Sequence, residues 1–465
     1  MKQSNNRTIK SSHFESLYPV ETRFEEIAAL VRFLKEGKSC QVLSLPGGGR
    51  SNFLGLLSYN HAIREKHLGD QQQWFHFVDI DFSQIRKQPL SETYKLIFLE
   101  IINSLQEREL LEEYAVVKEH FKEALEFHDG LVLFQGLKKS IDFLCLEKKL
   151  TVVLLFDRFE EYLSMLTPEF FTNLRILQNH AKYRFSVVLS LPKALEEVVE
   201  PSLFMDFSDA ISGNLLYLSL DDTVGLTFRI DYIEKVTGKT LNETQRAEIL
   251  RLTGGHPKLT RICVEMALKE HNVILSETKD LTPEILKQVQ DDKIDDKIKA
   301  ALKDIWQVFN PAEQSHFLKD LFGKTYEDEH TKYLEAIGII KDTTITIPLF
   351  ETFVEEQKTA QTTPEVTAIQ YVSETNSIVK GQIDLSEKLT ATEFRLLRFF
   401  LENPGTILER NAIISGVWKE NKTILGVTDQ ALDQLVFRLR RKIEEDPNNP
   451  THLHTIKGRG FKFSP

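Results

Sequence analysis

A glycine-rich turn is the first part of this sequence whose residue types could do chemistry. An apolar run over residues 41–45 leads into Gly47, Gly48 and Gly49, which Arg50, Ser51 and Asn52 follow at the start of an apolar helix. Glycines let backbone N–H groups approach an anion, and a helix N-terminus favours negative charge. The turn therefore predicts a phosphate-binding loop made of these six residues.

The turn departs at two positions from the P-loop pattern G-x-x-x-x-G-K-[ST]. Ser44 stands where the first glycine belongs, and Arg50 replaces the lysine. Arginine keeps the charge but presents a planar fork instead of a compact ammonium group. The alternative interpretation is a tight turn that binds nothing.

A carboxylate at the end of a second apolar run is the next candidate. Residues 152–156 are all apolar, and Asp157 follows them. In P-loop ATPases an aspartate in this place holds Mg²⁺. Many ATPases carry a water-activating glutamate next, but this chain has Arg158, with Glu160 and Glu161 only later. We therefore expect weak hydrolysis or none.

Five short apolar runs supply the elements that must position these residues. They span residues 41–45, 74–80, 152–156, 185–189 and 215–218 and alternate with helical stretches. Continuous apolar strands separated by helices favour a parallel α/β sheet with both faces covered. Helical periodicity takes over from Asp221 to about residue 300, and residues 305–354 end in a β-rich segment that predicts a small winged-helix-like unit.

A Gly-Gly-His-Pro segment, residues 254–257, opens a helix after the sheet. The order of glycine loop, strand with aspartate, further strand, helical lid with G-G-H-P and winged-helix-like unit resembles the STAND and Orc/Cdc6-like branch of the AAA-type P-loop ATPases. The resemblance covers roughly residues 18–354. It implies ATP or ADP with Mg²⁺ as cofactor, Ser51 and Asp157 as metal ligands, and His256 and Pro257 beside the nucleotide.

Composition and charge narrow the class of protein. The 465 residues are 41% hydrophobic, which excludes a wholly disordered chain, and three cysteines are too few for a disulfide framework. We see neither an apolar run of the ~18–20 residues that a membrane span needs nor a secretory signal, so we expect a cytoplasmic protein without membrane contact. The net charge is −11, yet the segment from residue 380 onward carries 14 Lys and Arg against 11 Asp and Glu.

The basic C-terminal segment contains a helix with an exposed polar stripe. Leu432, Val436, Leu439 and Ile443 recur at helical spacing and predict its buried face. Amides and guanidinium groups on another face are what a helix in the DNA major groove needs. The predicted DNA-binding residues of this helix are Gln430, Gln434, Arg438, Arg441 and Lys442. A β-hairpin over residues 454–463 adds Lys457 and Arg459 at a Gly-Arg-Gly tip.

Three segments together resemble the OmpR/PhoB-type winged helix-turn-helix domain: the helix L-T-A-T-E-F-R-L-L from Leu389, the helix from Thr428, and the wing T-I-K-G-R-G-F-K-F. The resemblance covers about residues 369–463 and implies double-stranded DNA as a partner, with RNA polymerase contacted by the loop 420–426. Leu435 and Phe437 are apolar where the family often has polar residues. No receiver domain precedes the module, so control by phosphorelay is not expected.

These patterns predict a multi-domain chain of α/β and α+β units. The predicted parts are a tail over 1–17, a P-loop ATPase-like domain over 18–220, a helical lid over 221–298, a winged-helix-like domain over 299–354, a polar linker over 355–368 and the DNA-binding domain over 369–465.

The leading functional hypothesis is a sequence-specific transcriptional regulator with a STAND-like nucleotide switch that is at most a weak ATPase and that acts as a homo-oligomer on DNA. One alternative is an ATP-dependent DNA-handling or defence ATPase of the origin-loader or transposition type, recruited to DNA by its winged helix. Another is a scaffold with a vestigial nucleotide site.

Overall fold

Two units make up the chain, Met1–Val354 and Glu355–Pro465. The computed structural model describes residues 13–270, 296–318, 329–341, 344–362, 369–372, 376–380, 383–418, 429–444, 447, 450–456 and 459–464. Among these residues no helix is both long and apolar enough to cross a membrane.

A parallel sheet of five strands forms the centre of the first unit, as the apolar runs predict. Its strands are β1 Cys40–Leu43, β2 Phe75–Asp81, β3 Thr151–Asp157, β4 Phe185–Leu191 and β5 Leu215–Tyr217. They lie in the order β2-β3-β4-β1-β5. Every residue of β1, β3 and β4 is buried, which explains why the sequences of these strands are predominantly apolar.

The strand order places the predicted nucleotide-binding residues at one edge of the sheet. Strand β1 lies between β4 and β5, with Leu43 opposite both Leu191 and Tyr217. Because all five strands are parallel, their carboxyl ends share an edge. The glycine-rich turn after β1, Asp157 at the end of β3 and the segment after β4 therefore meet there, at the kind of position where open α/β sheets bind ligands.

Helices cover both faces of this sheet. One face packs against α1 Phe24–Lys35, α2 Arg50–Tyr59 and α3 His61–Leu68. The opposite face packs against α4 Leu90–Glu107, α5 Leu111–Leu125, α6 Gly130–Asp142, α7 Pro168–Ala181, α8 Leu195–Val198 and α9 Pro201–Ile211. The side chains of each strand alternate between these two apolar clusters.

Helices and one hairpin follow the sheet in the first unit. They are α10 Thr223–Thr237, α11 Glu243–Thr253, α12 Pro257–Glu270, α13 Asp296–Val308, α14 Pro311–Leu318, α15 Glu329–Ala336, and the antiparallel pair β6 Ile340–Lys341 and β7 Thr344–Ile345. Residues of α11 to α15 and of the hairpin share one apolar cluster with Leu45 and Leu220. The finer domain boundaries within this unit remain predictions.

The polar segment after Val354 is helical at its start. Helix α16 spans Pro348–Thr362, so the first eight residues of the predicted linker continue a helix. Glu, Gln, Lys and Ala have high intrinsic helix propensity, and a solvent-facing helix needs no apolar periodicity.

In its described residues, the second unit combines two small sheets with three α-helices. Strands β8 Ile369–Val372, β9 Ser377–Lys380 and β10 Ile383–Asp384 form an antiparallel sheet before α17 Ala391–Leu401. Strand β11 Ile407–Leu408 and helices α18 Arg410–Val417 and α19 Asp429–Ile443 follow, and β12 Leu453–Ile456 and β13 Gly460–Phe463 form the wing. A capping box of Thr390 and Glu393 opens α17. Strand β11 extends the hairpin to three strands, which the sequence did not predict.

Candidate functional site

The glycine-rich turn has a backbone that only glycine tolerates at three successive positions. Gly47 and Gly49 have φ angles of +77° and +98°, in the left-handed region, and Gly49 is the N-cap of α2. A Cβ atom on Gly48 would lie 2.1 Å from Oγ of Ser44. Ser51 is exposed in the first turn of α2. The turn and the start of α2 therefore have the form of an anion cradle.

The Gly-His-Pro segment packs directly on this turn. The ring of His256 is fully buried, with Nε2 3.0 Å from the carbonyl oxygen of Pro46, and its Nδ1 accepts a hydrogen bond from the N–H of Leu259 at 3.3 Å. The N–H of Lys258 donates to the carbonyl of Gly47 at 3.2 Å. Burial lowers the pKa of His256 to about 4. The ring is therefore neutral near pH 7 and donates from Nε2 to Pro46.

Arg50 makes an ion pair at the position where a P-loop lysine would face phosphate. Its Nη2 lies 2.5 Å from Oε1 of Glu160, and the Arg50 side chain is only 10% exposed. Nη1 of Arg50 and Oε2 of Glu160 are buried without a hydrogen-bond partner among the described residues. Leaving a buried polar atom unsatisfied costs about 1–3 kcal/mol. A hydrogen-bonding ligand at this place would recover that cost.

Three aspartates lie close together at the ends of β2 and β3. Asp157 is opposite Asp81 in the sheet register, and its Oδ1 accepts a 3.4 Å hydrogen bond from Ser190. Burial and the negative charges of Asp157 and Asp81 raise the pKa of Asp79 to about 7. Oδ1 of Asp79 is buried and has no partner in the described part of the chain. A cation at this edge would relieve the repulsion among these carboxylates.

The guanidinium group of Arg158 supplies part of the positive charge at this edge. It forms an ion pair with Asp81, and its Nε lies 3.9 Å from Oδ2 of Asp157. The φ of Arg158, +52°, is uncommon for a non-glycine residue. Within the described residues, no group of three or more His, Cys, Asp or Glu side chains is placed to hold a metal ion. A magnesium ion would depend on Asp157 and the Ser51 hydroxyl, with its other ligands supplied by phosphate and water.

A narrow cleft beside the turn includes Tyr18 and Arg229, which no sequence pattern marks as functional. Nδ2 of Asn52 and Nη1 of Arg229 both donate to the hydroxyl of Tyr18, at 2.6 and 3.3 Å. Pro257 and Gly49 also line the cleft, and the cavity volume is about 30 Å³. One water needs about 10–15 Å³ on this scale. A nucleotide base would therefore have to move Tyr18 or Arg229 to enter.

The segment after β4 carries a second buried ion pair. Nζ of Lys193 lies 2.5 Å from Oε2 of Glu313 on α14, and the two side chains are 7% and 1% exposed. The same Nζ is 5.2 Å from the centre of the Tyr333 ring, and the Tyr333 hydroxyl donates to the carbonyl of Pro192 at 2.8 Å. These contacts fasten the helices that follow the sheet to its carboxyl edge.

In the second unit, helix α19 presents the predicted polar stripe to solvent. Gln430, Gln434, Arg438 and Arg441 are exposed. Its opposite face is buried in the core of the unit, with Leu432, Leu435, Val436, Leu439 and Ile443 at 0–3% exposure. Leu435 is therefore a core residue. The stripe lies on an amphipathic helix whose rotation is fixed by this packing.

Side chains at the end of α19 attach the wing to it. Nε and Nη2 of Arg440 donate to the carbonyl of Leu453, at 2.9 and 2.6 Å. The carboxylate of Glu444 accepts hydrogen bonds from the backbone N–H groups of residues 451–453. Burial opposes the charge of Glu444, but these hydrogen bonds outweigh it and lower its pKa. The polar stripe and the wing are thus held as one surface.

The other predicted DNA-binding residues differ in their surroundings. Arg459 is exposed, whereas Lys457 and the loop 420–426 lie outside the described residues. Nζ of Lys442 lies 2.5 Å from Oε2 of Glu393, a side chain only 3% exposed. Lys442 therefore joins α19 to the start of α17 and has part of its charge neutralised.

Comparison with known proteins places this surface in a family. Residues 385–463 match the family described as "Transcriptional regulatory protein, C terminal". The second unit therefore carries an OmpR/PhoB-type winged helix-turn-helix domain, as its sequence predicts.

Three relatives match this part of the chain. The sensory transduction protein RegX3 of Mycolicibacterium smegmatis is 46% identical over 75 residues, which are 16% of this chain and 32% of that protein. Protein PetR of Rhodobacter capsulatus is 36% identical over 87 residues, which cover 18% and 37% of the two chains, and the regulatory protein VirG of Rhizobium rhizogenes is 45% identical over 78 residues, covering 16% and 30%. The chain thus spans about a third of the length of these relatives.

Two solved structures align with a larger part of the chain. Cdc6p from Pyrobaculum aerophilum has a TM-score of 0.33 at 13% identity, covering 76% of this chain and 97% of its own. The Aeropyrum pernix ORC2 protein in its ADPNP–ADP complexes has a TM-score of 0.34 at 13% identity, covering 76% and 99%. Scores this low do not define a common fold, so the description of the first unit rests on its own sheet and turn.

Proposed function

We propose that this chain is a sequence-specific, DNA-binding transcriptional regulator whose first unit is a nucleotide-responsive switch. The observation that carries the DNA-binding part is the exposed stripe of amides and guanidinium groups on α19, within a domain of the transcriptional regulatory family. Glutamine amides pair with adenine and arginines with guanine or phosphate in the major groove. Arg459 in the wing would add a phosphate or minor-groove contact.

The nucleotide part of the proposal is supported by the glycine-rich turn and its surroundings. Backbone N–H groups at Gly47 to Ser51 would cradle phosphates, Ser51 and Asp157 would hold Mg²⁺, and the Asn52 cleft beside Pro257 would accept part of the nucleoside. His256 would hold the turn in shape through Pro46, because its ring reaches the loop backbone. Bound nucleotide would supply negative charge that competes for Arg50.

Hydrolysis is proposed to be weak at most. Glu160 already pairs with Arg50, and Arg158 follows Asp157 where a water-activating carboxylate would serve hydrolysis. A general base must reach the water that it activates. These two arginine pairs favour binding and exchange of nucleotide over its hydrolysis. They therefore make the alternative function, an ATP-dependent DNA-handling enzyme, the less favoured one.

Coupling within the first unit would pass through the contacts of Lys193. This residue and Tyr333 fasten α14 and α15 to the same edge of the sheet that holds the glycine-rich turn. Charge arriving at the turn would compete with Glu313 for Lys193, and α14 would loosen from the sheet. We propose that this change controls the pairing of protomers on DNA half-sites and the presentation of the domain to RNA polymerase.

A scaffold with a vestigial nucleotide site is the second candidate, and two observations favour it. The Arg50–Glu160 pair neutralises the cation of the loop, and the cavity beside the turn is small. In that case DNA binding would persist without any response to nucleotide.

Calorimetry on the full chain distinguishes the two candidates. We would titrate ATP and ADP with Mg²⁺ into wild type and Asp157→Ala, and then measure DNA affinity with and without nucleotide. Magnesium-dependent binding that Asp157→Ala abolishes, together with a changed DNA affinity, is the expected result. Intact DNA binding with no heat from either nucleotide would overturn the switch and leave the scaffold.

A further inference from the structure

One aromatic side chain interrupts the polar surface of the predicted recognition helix. Phe437 on α19 is 49% exposed, and among the described residues of the second unit it is the one large hydrophobic side chain that is exposed. The buried face of α19 is complete without it, because the five apolar residues of that face are at most 3% exposed. The core therefore does not explain a phenylalanine at this position.

Helical spacing puts Phe437 inside the polar stripe. Positions 430, 434, 437, 438 and 441 follow the i, i+4, i+7, i+8, i+11 series, so their side chains share one face of α19. All five are exposed. Phe437 thus has Gln434 one turn before it and Arg441 one turn after it, and whatever these polar residues contact must also meet its ring.

We propose that Phe437 is a specificity-determining residue that recognises thymine through the C5-methyl group in the major groove. Among the base edges of that groove, the thymine methyl is the apolar feature, and aromatic side chains contact it favourably. Cytosine carries only a hydrogen at C5, so it offers the ring no methyl group to contact. Phe437 thus selects T over C where the neighbouring side chains select by hydrogen bonds.

The charges beside the ring favour DNA over a protein as the occupant of this face. Arg438 and Arg441 are exposed guanidinium groups next to Phe437, and they form no ion pair among the described residues. An anionic duplex complements this pair of cations, whereas an apolar partner would have to desolvate them. The inference rests on the proposed DNA-binding function.

Replacement of thymine by uracil tests the contact without changing base pairing. The probe is the tightest duplex that the wild-type chain recovers from a random 30-base-pair pool at 150 mM salt, with each thymine replaced in turn by deoxyuridine. We expect one replacement per half-site to weaken wild-type binding by about three- to ten-fold, the effect of removing one buried methyl group. The Phe437→Ala variant should bind the thymine and uracil duplexes equally.

Two controls separate the possible failures. Phe437→Leu should keep part of the preference for thymine, and Tyr183→Ala, which removes an exposed aromatic ring of the first unit, should behave as wild type. Equal wild-type affinity for every uracil duplex, or an unchanged uracil penalty in Phe437→Ala, would overturn the inference while leaving DNA binding intact. If no sequence is enriched from the pool, the proposed DNA-binding function fails as well. Concentration-dependent self-association that Phe437→Ala abolishes in the absence of DNA would assign the ring to a second copy instead.

Discussion

Lys193 and Glu313 form a buried ion pair across 120 positions of sequence, joining the end of β4 to helix α14 at 2.5 Å. Glu313 also accepts a 2.7 Å hydrogen bond from the N–H of Asn310, so the same carboxylate caps α14 and holds it to the sheet. The charge of Glu313 therefore affects both the start of α14 and the contact between α14 and the sheet.

Removing the charge of Glu313 should destabilise the first unit strongly. Glu313→Gln keeps an oxygen for the helix cap but leaves the buried Lys193 with only the exposed Glu197, at 3.6 Å, as a counter-charge. Breaking a buried ion pair typically costs about 3–5 kcal/mol, and we expect a loss approaching that range. Urea unfolding followed by tryptophan fluorescence would measure this loss. The double variant Lys193→Met/Glu313→Gln should recover much of the stability, and Glu119→Gln in an exposed pair with Lys122 should change it by less than about 1 kcal/mol. Equal losses in the single and double variants would contradict the assignment.

Freeing Arg50 should strengthen nucleotide binding. In Glu160→Gln the guanidinium group is no longer neutralised by a carboxylate, so we expect Mg-ATP to bind roughly three- to ten-fold more tightly. Calorimetry measures this directly. Glu161→Gln is the matched control, because Glu161 pairs with Arg86 instead. An unchanged or weaker affinity in Glu160→Gln would show that Arg50 does not face the nucleotide.

His256 should make the first unit sensitive to mild acid. Its folded pKa is about 4 and its ordinary value is 6.5, so the unfolded chain binds the extra proton first as the pH falls. The contribution of His256 to the free energy of unfolding is therefore fully present above pH 6.5, and it declines by about 2 kcal/mol from pH 7 to pH 5. His256→Asn should flatten this dependence of the unfolding free energy.

The buried His76, whose pKa burial also lowers well below its usual value, contributes a slope of the same sign, whereas Asp79, whose pKa is raised to about 7, contributes one of the opposite sign. Adding a His76→Asn substitution should remove the part of the slope that comes from His76. An identical pH dependence of the unfolding free energy in wild type and His256→Asn would contradict the assignment of a neutral His256.

The arginines of α19 should determine both the affinity for DNA and its salt dependence. Replacing Arg438 and Arg441 together by alanine should weaken binding and reduce the slope of log K against log salt by about 0.9 for each phosphate that is no longer neutralised. Arg398→Ala is the control, since Arg398 of α17 pairs with Glu402 and packs over the ring of Tyr371 on β8. A double variant that binds as tightly as wild type in a gel-shift assay would remove the recognition role from α19.

The strands of the first unit could be predicted because each is largely buried and therefore rich in apolar residues. Residues 185–189 and 215–218 match β4 and β5 within two residues. The buried face of α19 could be predicted equally well, since it depends on spacing within one helix.

Contacts between distant side chains could not be predicted in the same way. Arg50 and Glu160 are 110 positions apart, and no local pattern marks them as partners. The same holds for Lys193 with Glu313 and for the cleft of Tyr18 and Arg229. Such pairings depend on the order of strands in the sheet, which hydrophobic periodicity does not specify.

The sheet order also has a consequence for synthesis of the chain on the ribosome. Strand β1 is the first strand made, yet it lies between β4 and β5, which are the last two. At a translation rate of ~5–20 residues per second, roughly 7–30 s pass between the synthesis of β1 and that of β4, its first neighbour in the sheet. During that time Val42 and Leu43, both completely buried in the finished sheet, have no native strand beside them. The nascent chain therefore depends on shielding of this segment, by its own early helices or by a chaperone, until about half of the protein has been translated.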